Sequence, residues 1–176
     1  TTFEIKFDQE TGILILEHEL PNVEGIQWTK PAEFSRSASS KPANRAEARD
    51  AASAFYPSLI LYLAASIAQQ IPRDEINAIA VNGWVQFHAK ATGALTKAYC
   101  GSLMAPAARL RELDLQHIDP PTAFIALKGN ASRSVELTPI APQIRMDPSD
   151  SRFVDPRDVL SNLADGENLA SMDWED

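Results

Sequence analysis

The sequence predicts an α+β fold: a small antiparallel sheet built from two β-hairpins, with one long helix and two or three short helices packed on it. Three observations carry this. Two segments pair apolar-rich runs around a turn ending in Thr-Gly, at Thr11-Gly12 and Thr92-Gly93. One alanine-rich stretch repeats large apolar residues at helical spacing, and a short segment near residue 120 has helix-start and helix-stop residues at both ends.

Phe3-Glu-Ile-Lys-Phe7 alternates apolar and polar side chains, the period of a strand with one covered face, and Ile13–Leu16 answers it after Asp8-Gln-Glu-Thr-Gly12. A glycine late in such a turn takes positive φ without a Cβ penalty. Residues 81–103 form the longer hairpin, in which the apolar run from Ile76 to Val85 reads as a central strand. Asn82-Gly83-Trp84 marks an irregularity there, and Gly101 interrupts the return strand from Leu95 to Met104. Two Thr-Gly dipeptides are too little to make an internal repeat.

Between the hairpins, residues 21–44 contain Pro21, Gly25, Pro31, Pro42 and a serine cluster, the composition of a mobile connection. From Ala43 to Gln70 the chain is alanine-rich, and Phe55, Leu59, Leu63, Ile67 and Ile71 recur every fourth residue as a helical seam. Pro57 lies within it, so the helix either kinks there or starts near Tyr56. Asp119-Pro120 before residues 122–127, with Lys128-Gly129 after them, gives an N-cap, a first-turn proline, a basic end and a glycine stop. The segment holding Pro139, Pro142 and Pro148 reads as an extended wrap, and a short helix is expected over 156–163 behind Asp155.

The chain has 176 residues, 44% hydrophobic and 23% charged, with a net charge of −8. Residues 144–176 hold seven Asp and two Glu against three Arg, a net −6, so the rest carries only −2. This divides the sequence into a domain over 1–143 and an acidic linker over 144–176. Overall acidity weighs against a phosphate-gripping surface, which needs lysine and arginine to displace counterions. The exception is local: Lys30, Arg36, Lys41, Arg45 and Arg49 face only Glu33 and Glu47. This stretch is either a DNA-contacting loop or a solvated lead into the helix; without interleaved aromatics the solvated reading is preferred.

Cys100 is alone, so an internal disulfide is excluded and a reducing, cytoplasmic setting is expected. No apolar run reads as a membrane span and no basic-then-apolar leader opens the chain. His18, His88 and His117 share no metal-ligand spacing with one another or with Cys100. Glycine-rich phosphate loops and the hydrolase nucleophile elbow are absent from the sequence. Glu4-Ile5-Lys6 has the form of half a metal-nuclease site, and Asp147, Asp150, Asp155 and Asp158 could gather a cation. Strand alternation explains the first and capping or turn roles the second, so neither catalytic residues nor a metal site are expected in this chain. Trp84 and Phe87 read as core in preference to a base-stacking pair.

One set of residues has a family look. Asn82-Gly83-Trp84-Val85, Thr92-Gly93, Ile118-Asp119-Pro120, Phe124, Leu127-Lys128-Gly129, Leu137-Thr138-Pro139-Ile140-Ala141-Pro142, Arg152-Phe153-Val154 and Asn168-Leu-Ala-Ser-Met-Asp-Trp-Glu-Asp176 resemble the region just before the nuclease domain of Mrr-like bacterial restriction endonucleases. Phe7, Thr11-Gly12 and Leu20-Pro21 fit as well, and the resemblance is weakest over 25–75. In that family the MDWED-type segment opens a PD-(D/E)xK domain that cuts DNA with a divalent metal such as magnesium. The family's catalytic residues fall beyond residue 176. The resemblance therefore implies an accessory module that targets DNA, regulates the nuclease or joins protomers, with Asn82, Gly83, Trp84 and Gly93 as structural motif positions. Its implied partners are a C-terminal nuclease domain, DNA through the whole protein, and a second copy. A dimerisation module without DNA contact is the alternative.

Overall fold

The computed structural model describes residues 2–29, 42–71, 75–89, 92–134, 136–149 and 153. In chain order these form β1 (Phe3–Asp8), β2 (Ile13–Glu19), a 3-10 turn (Val23–Gly25), α1 (Arg45–Gln70), β3 (Ala78–His88), β4 (Leu95–Pro106), α2 (Ala107–Arg111), α3 (Pro120–Ala126) and β5 (Asn130–Ala131). The five strands lie in sequence order in one sheet.

Both hairpins form as their turn chemistry dictates. Gly12 and Gly93 each adopt φ 68°, and their N–H groups donate to the Asp8 and Ala89 carbonyls at 2.8 and 2.7 Å. The sheet is mixed, however, where two hairpins alone suggested an antiparallel one. The chain crosses over through α1 between β2 and β3, and such a crossover brings the second strand back parallel to the first. A register shift falls between Gly83 and Trp84, at the irregularity marked by the glycine.

α1 starts at a capping box, in which Asn44 Oδ1 accepts from Glu47 N at 3.0 Å and Glu47 Oε2 accepts from Asn44 N at 2.8 Å. It runs through Pro57, so a start near Tyr56 is ruled out. Its buried side chains are Ala52, Tyr56, Pro57, Ile60, Leu61, Ala64, Ala65 and Ala68, a face rotated away from the expected seam. Phe55, Leu63, Ile67 and Ile71 only flank this core, and Leu59 is exposed. The reason is close packing: alanines let the helix axis approach the sheet, and the larger side chains are displaced to its margins.

The register rows Leu14–Ile79–Ala105 and Leu16–Val81–Leu103 line the sheet face beneath α1. Beside them Gly83 and Gly101 are cross-strand partners; Ile60 Cδ1 fills the hollow above Gly101 and reaches that above Gly83, which it shares with the Leu20 side chain. A Cβ on Gly101 would collide with that methyl group, so these glycines form a socket. Ile60 is fully buried, worth about 2 kcal/mol in transfer free energy.

By length and composition alone α1 is also long and apolar enough to cross a membrane, a test that the core helix of a globular domain passes as well. Here its buried face serves the domain core. Its C-terminal end is capped from α2, an element not foreseen in the sequence: Arg111 donates from Nε to Ala68 O at 3.1 Å and from Nη2 to Ile71 O at 3.3 Å. α3 begins as expected, with Asp119 accepting from Thr122 N at 3.0 Å. At its end Lys128, φ 63°, takes the left-handed position that the sequence assigned to Gly129. The connection after β2 is anchored at its start, where Tyr56 donates its hydroxyl proton to Pro21 O and accepts from Val23 N. Burial holds the Tyr56 phenol well above its usual range. Residues 30–41 and the expected elements at 156–163 and 172–176 lie outside the described residues.

Candidate functional site

The face of the sheet opposite α1 carries a row of polar residues in direct cross-strand register. Glu4 on β1 opposes Glu17 on β2, Glu17 opposes Asn82 on β3, Asn82 opposes Ser102 on β4, and Ser102 opposes Asn130 on β5. Glu17, Asn82 and Ser102 are buried. Polar groups so placed cost free energy unless each finds a partner, and the proline-containing segment after β5 supplies them.

That segment lies across the row as a strap. Ser102 donates its hydroxyl proton to Asn82 Oδ1 at 2.8 Å and accepts from Gln143 N at 3.0 Å. Asn82 Nδ2 donates to Ile144 O at 2.6 Å. Glu17 Oε1 accepts from the Tyr99 hydroxyl at 2.9 Å and from Met146 N at 3.0 Å. The row thus reads the backbone of the strap, taking N–H groups at 143 and 146 and a carbonyl at 144. The extended wrap expected from the prolines is present, and its contacts continue past residue 143 into the acidic segment.

Flanking bonds fix the two sides. Ser132 N donates to Cys100 O at 2.8 Å and Ile140 N to Tyr99 O at 3.0 Å. Gln143 spans the strap and the sheet rim, accepting from Met104 N at 3.1 Å and donating to Lys128 O at 2.6 Å. At the far end, Trp84, Tyr99, Ile140 and Phe153 make a second small core. Phe153 stacks on Tyr99 with ring centroids 4.2 Å apart and meets Trp84 edge-on at 6.0 Å. Lys97 Nζ sits 4.2 Å from the Trp84 ring centre.

Little space is left for a small molecule here. The nook bounded by Glu4, Glu17, Trp84, Lys97 and Phe153 measures about 10 Å³, room for one water at most. A larger, open groove of about 410 Å³ lies on the other side of the sheet, lined by His18, Glu19, Leu20, Pro21, Phe55 and Leu59. Among the described residues no three His, Cys, Asp or Glu side chains converge as a metal site would require. Cys100 is fully buried in the main core, and burial pushes its thiol far above the usual range. Asp147 serves a turn, accepting from Ser149 N at 2.9 Å and Ser149 Oγ at 2.7 Å.

The residues singled out in the sequence separate into three places among the described residues. Asn82, Gly83 and Trp84 stand together on β3 but do different work: Asn82 is the centre of the polar row, Gly83 half of the Ile60 socket, and Trp84 part of the second core. Gly93 shapes the distant turn of the hairpin. Arg45 and Arg49 are exposed in the first turns of α1, while Lys30, Arg36 and Lys41 lie outside the described residues, as do Asp150, Asp155 and Asp158. Sequence reasoning missed Glu17, Tyr99, Ser102 and Gln143. The available signal was a polar residue interrupting an apolar strand, as Glu17 does after Ile13–Leu16.

Compared with known proteins, the chain matches no family model, no curated protein and no solved structure.

Proposed function

We propose that this chain is a non-catalytic accessory domain of a restriction endonuclease acting on foreign or modified DNA, whose nuclease domain, with its magnesium-type metal, lies C-terminal to it in the parent protein. The observation that carries the reading is the polar row: its buried hydrogen-bonding groups are spent on holding the chain's own backbone at 143–146. Fixing residues 143–146 from three strands suits a module that sets the direction in which the chain leaves it. The resemblance of residues 168–176 to the opening of a nuclease domain supports a nuclease as the downstream neighbour.

The test has two parts. Purified chain incubated with DNA and magnesium should leave the DNA intact, and the parent reading frame should encode an aspartate and a Glu-x-Lys pair after residue 176. Metal-dependent cleavage by the purified chain, lost in a Glu4→Ala, Lys6→Ala variant, would overturn the non-catalytic assignment, and a parent frame without the carboxylate pair would overturn the restriction assignment.

DNA contact by the module itself is a second reading, favoured by the exposure of Arg45 and Arg49 at the positive end of α1. With Lys30, Arg36 and Lys41 they would neutralise phosphates, so binding of the parent protein should weaken steeply as salt rises. Binding indifferent to salt, or unchanged in an Arg45→Ala, Arg49→Ala variant, would count against it.

A further inference from the structure

β1 is an edge strand, and among the described residues nothing pairs with its outer side. Such an edge presents unpaired backbone groups and is ordinarily protected by charge, proline or a bulge. Here three large apolar side chains stand out from it on one face, Phe3 at 62%, Ile5 at 57% and Phe7 at 38% exposure. They lie on the α1 side of the sheet, opposite His18, Leu16 and Leu14.

Thr2 O accepts from Glu19 N, so the even residues of β1 turn their backbone groups toward β2. The alternation leaves the N–H and C=O of Phe3, Ile5 and Phe7 pointing outward. Those three residues supply the free bonds and the exposed apolar side chains together.

The sequence of β1, Phe-Glu-Ile-Lys-Phe, is self-complementary when run against itself. With Ile5 on a two-fold axis, Phe3 faces Phe7 of a second copy, Ile5 faces Ile5, and Glu4 faces Lys6. Each outward residue then exchanges both backbone bonds with its opposite, and the two acid–base pairs fall at the closer, non-hydrogen-bonded positions. We infer that β1 pairs antiparallel with β1 of a second copy about Ile5, joining two sheets into one continuous sheet. The axis stands perpendicular to the sheet, which puts both copies of α1 on the same side. The interface is isologous and closed, so it ends at two copies. The inference is independent of the restriction reading and would hold whatever the module serves.

The charge pattern gives a decisive test in the whole chain. Sedimentation or light scattering should report a dimer. Glu4→Lys alone, or Lys6→Glu alone, sets like charges opposite each other twice and should weaken self-association about tenfold or more. Combining Glu4→Lys with Lys6→Glu restores opposite charges and should restore the dimer, with circular dichroism confirming that all three variants fold. On mild oxidation Ile5→Cys should form a disulfide-linked dimer, since only a residue on the axis meets its own copy; Phe3→Cys and Phe7→Cys singly should not. A monomeric wild type overturns the inference, as does a dimer indifferent to the single charge reversals or one cross-linked by Phe3→Cys as readily as by Ile5→Cys.

Discussion

The two faces of the sheet are covered by different physics. Under α1 the fit is one of shape: alanines bring the helix close, and Ile60 drops into the hollow over Gly83 and Gly101. Under the strap the fit is one of hydrogen-bond register, with Glu17, Asn82 and Ser102 each matched to a backbone group. An apolar face tolerates a shifted partner at modest cost, whereas a buried polar row is satisfied only by one alignment of the chain laid across it. The helix face therefore carries the stability of the domain, and the strap face fixes where residues 140–146 lie.

The largest effect should come from the socket. Ile60→Ala should destabilise the domain by about 3 kcal/mol in denaturant unfolding, while Gly101→Ala should cost about 1–3 kcal/mol by overpacking. The double variant should cost less than the sum, because the methyl removed is the one the new Cβ would strike. Additive costs would break the claim that the glycines and Ile60 form one fitted unit.

On the strap face, Asn82→Leu should cost about 2 kcal/mol by stranding the Ser102 hydroxyl and the Ile144 carbonyl. It should loosen the strap and leave α1 in place, sharpening the contrast between the faces. A uniform loss of structure would show instead that the two layers fold as one. At the end of α1, Arg111→Ala should remove two charged bonds to helix carbonyls and lower stability by about 1 kcal/mol, with Lys recovering only part.

The smallest expected effect is one of pH. Thr122 holds the Asp119 carboxyl below its ordinary value by donating from side chain and backbone. A carboxylate with a lowered folded pKa contributes stability above its unfolded value, and that contribution fades as pH falls through the folded one. Asp119→Asn should accordingly lower stability slightly at neutrality and converge on the wild type below about pH 4, flattening the acid limb of the thermal stability profile. An unchanged acid limb would remove the cap from the account.

How much of this was legible depended on distance along the chain. The hairpins and the Asp119 cap are written locally, in residues a few positions apart. The helical seam was misplaced because periodicity favours large side chains, while close packing on a glycine socket selects alanines. Asn82 was visible as a polar residue in an apolar run, but its partners lie 20 and 62 residues away. Glu17 meets Tyr99 and Met146 at separations of 82 and 129. Nothing local marks such pairs, so the polar row emerges only once β2, β3 and β4 are aligned. The parallel step between β2 and β3 was hidden for a related reason, since it depends on the crossover through α1.

Hydrogen exchange at the Gln143 and Met146 amides tests the central claim most directly, that the polar row holds the strap in place. In the wild type both amides should be protected, and in Asn82→Leu they should exchange at least about tenfold faster while amides of α1 keep their protection. Exchange at 143 and 146 that is fast in the wild type, or unchanged by the substitution, would contradict it.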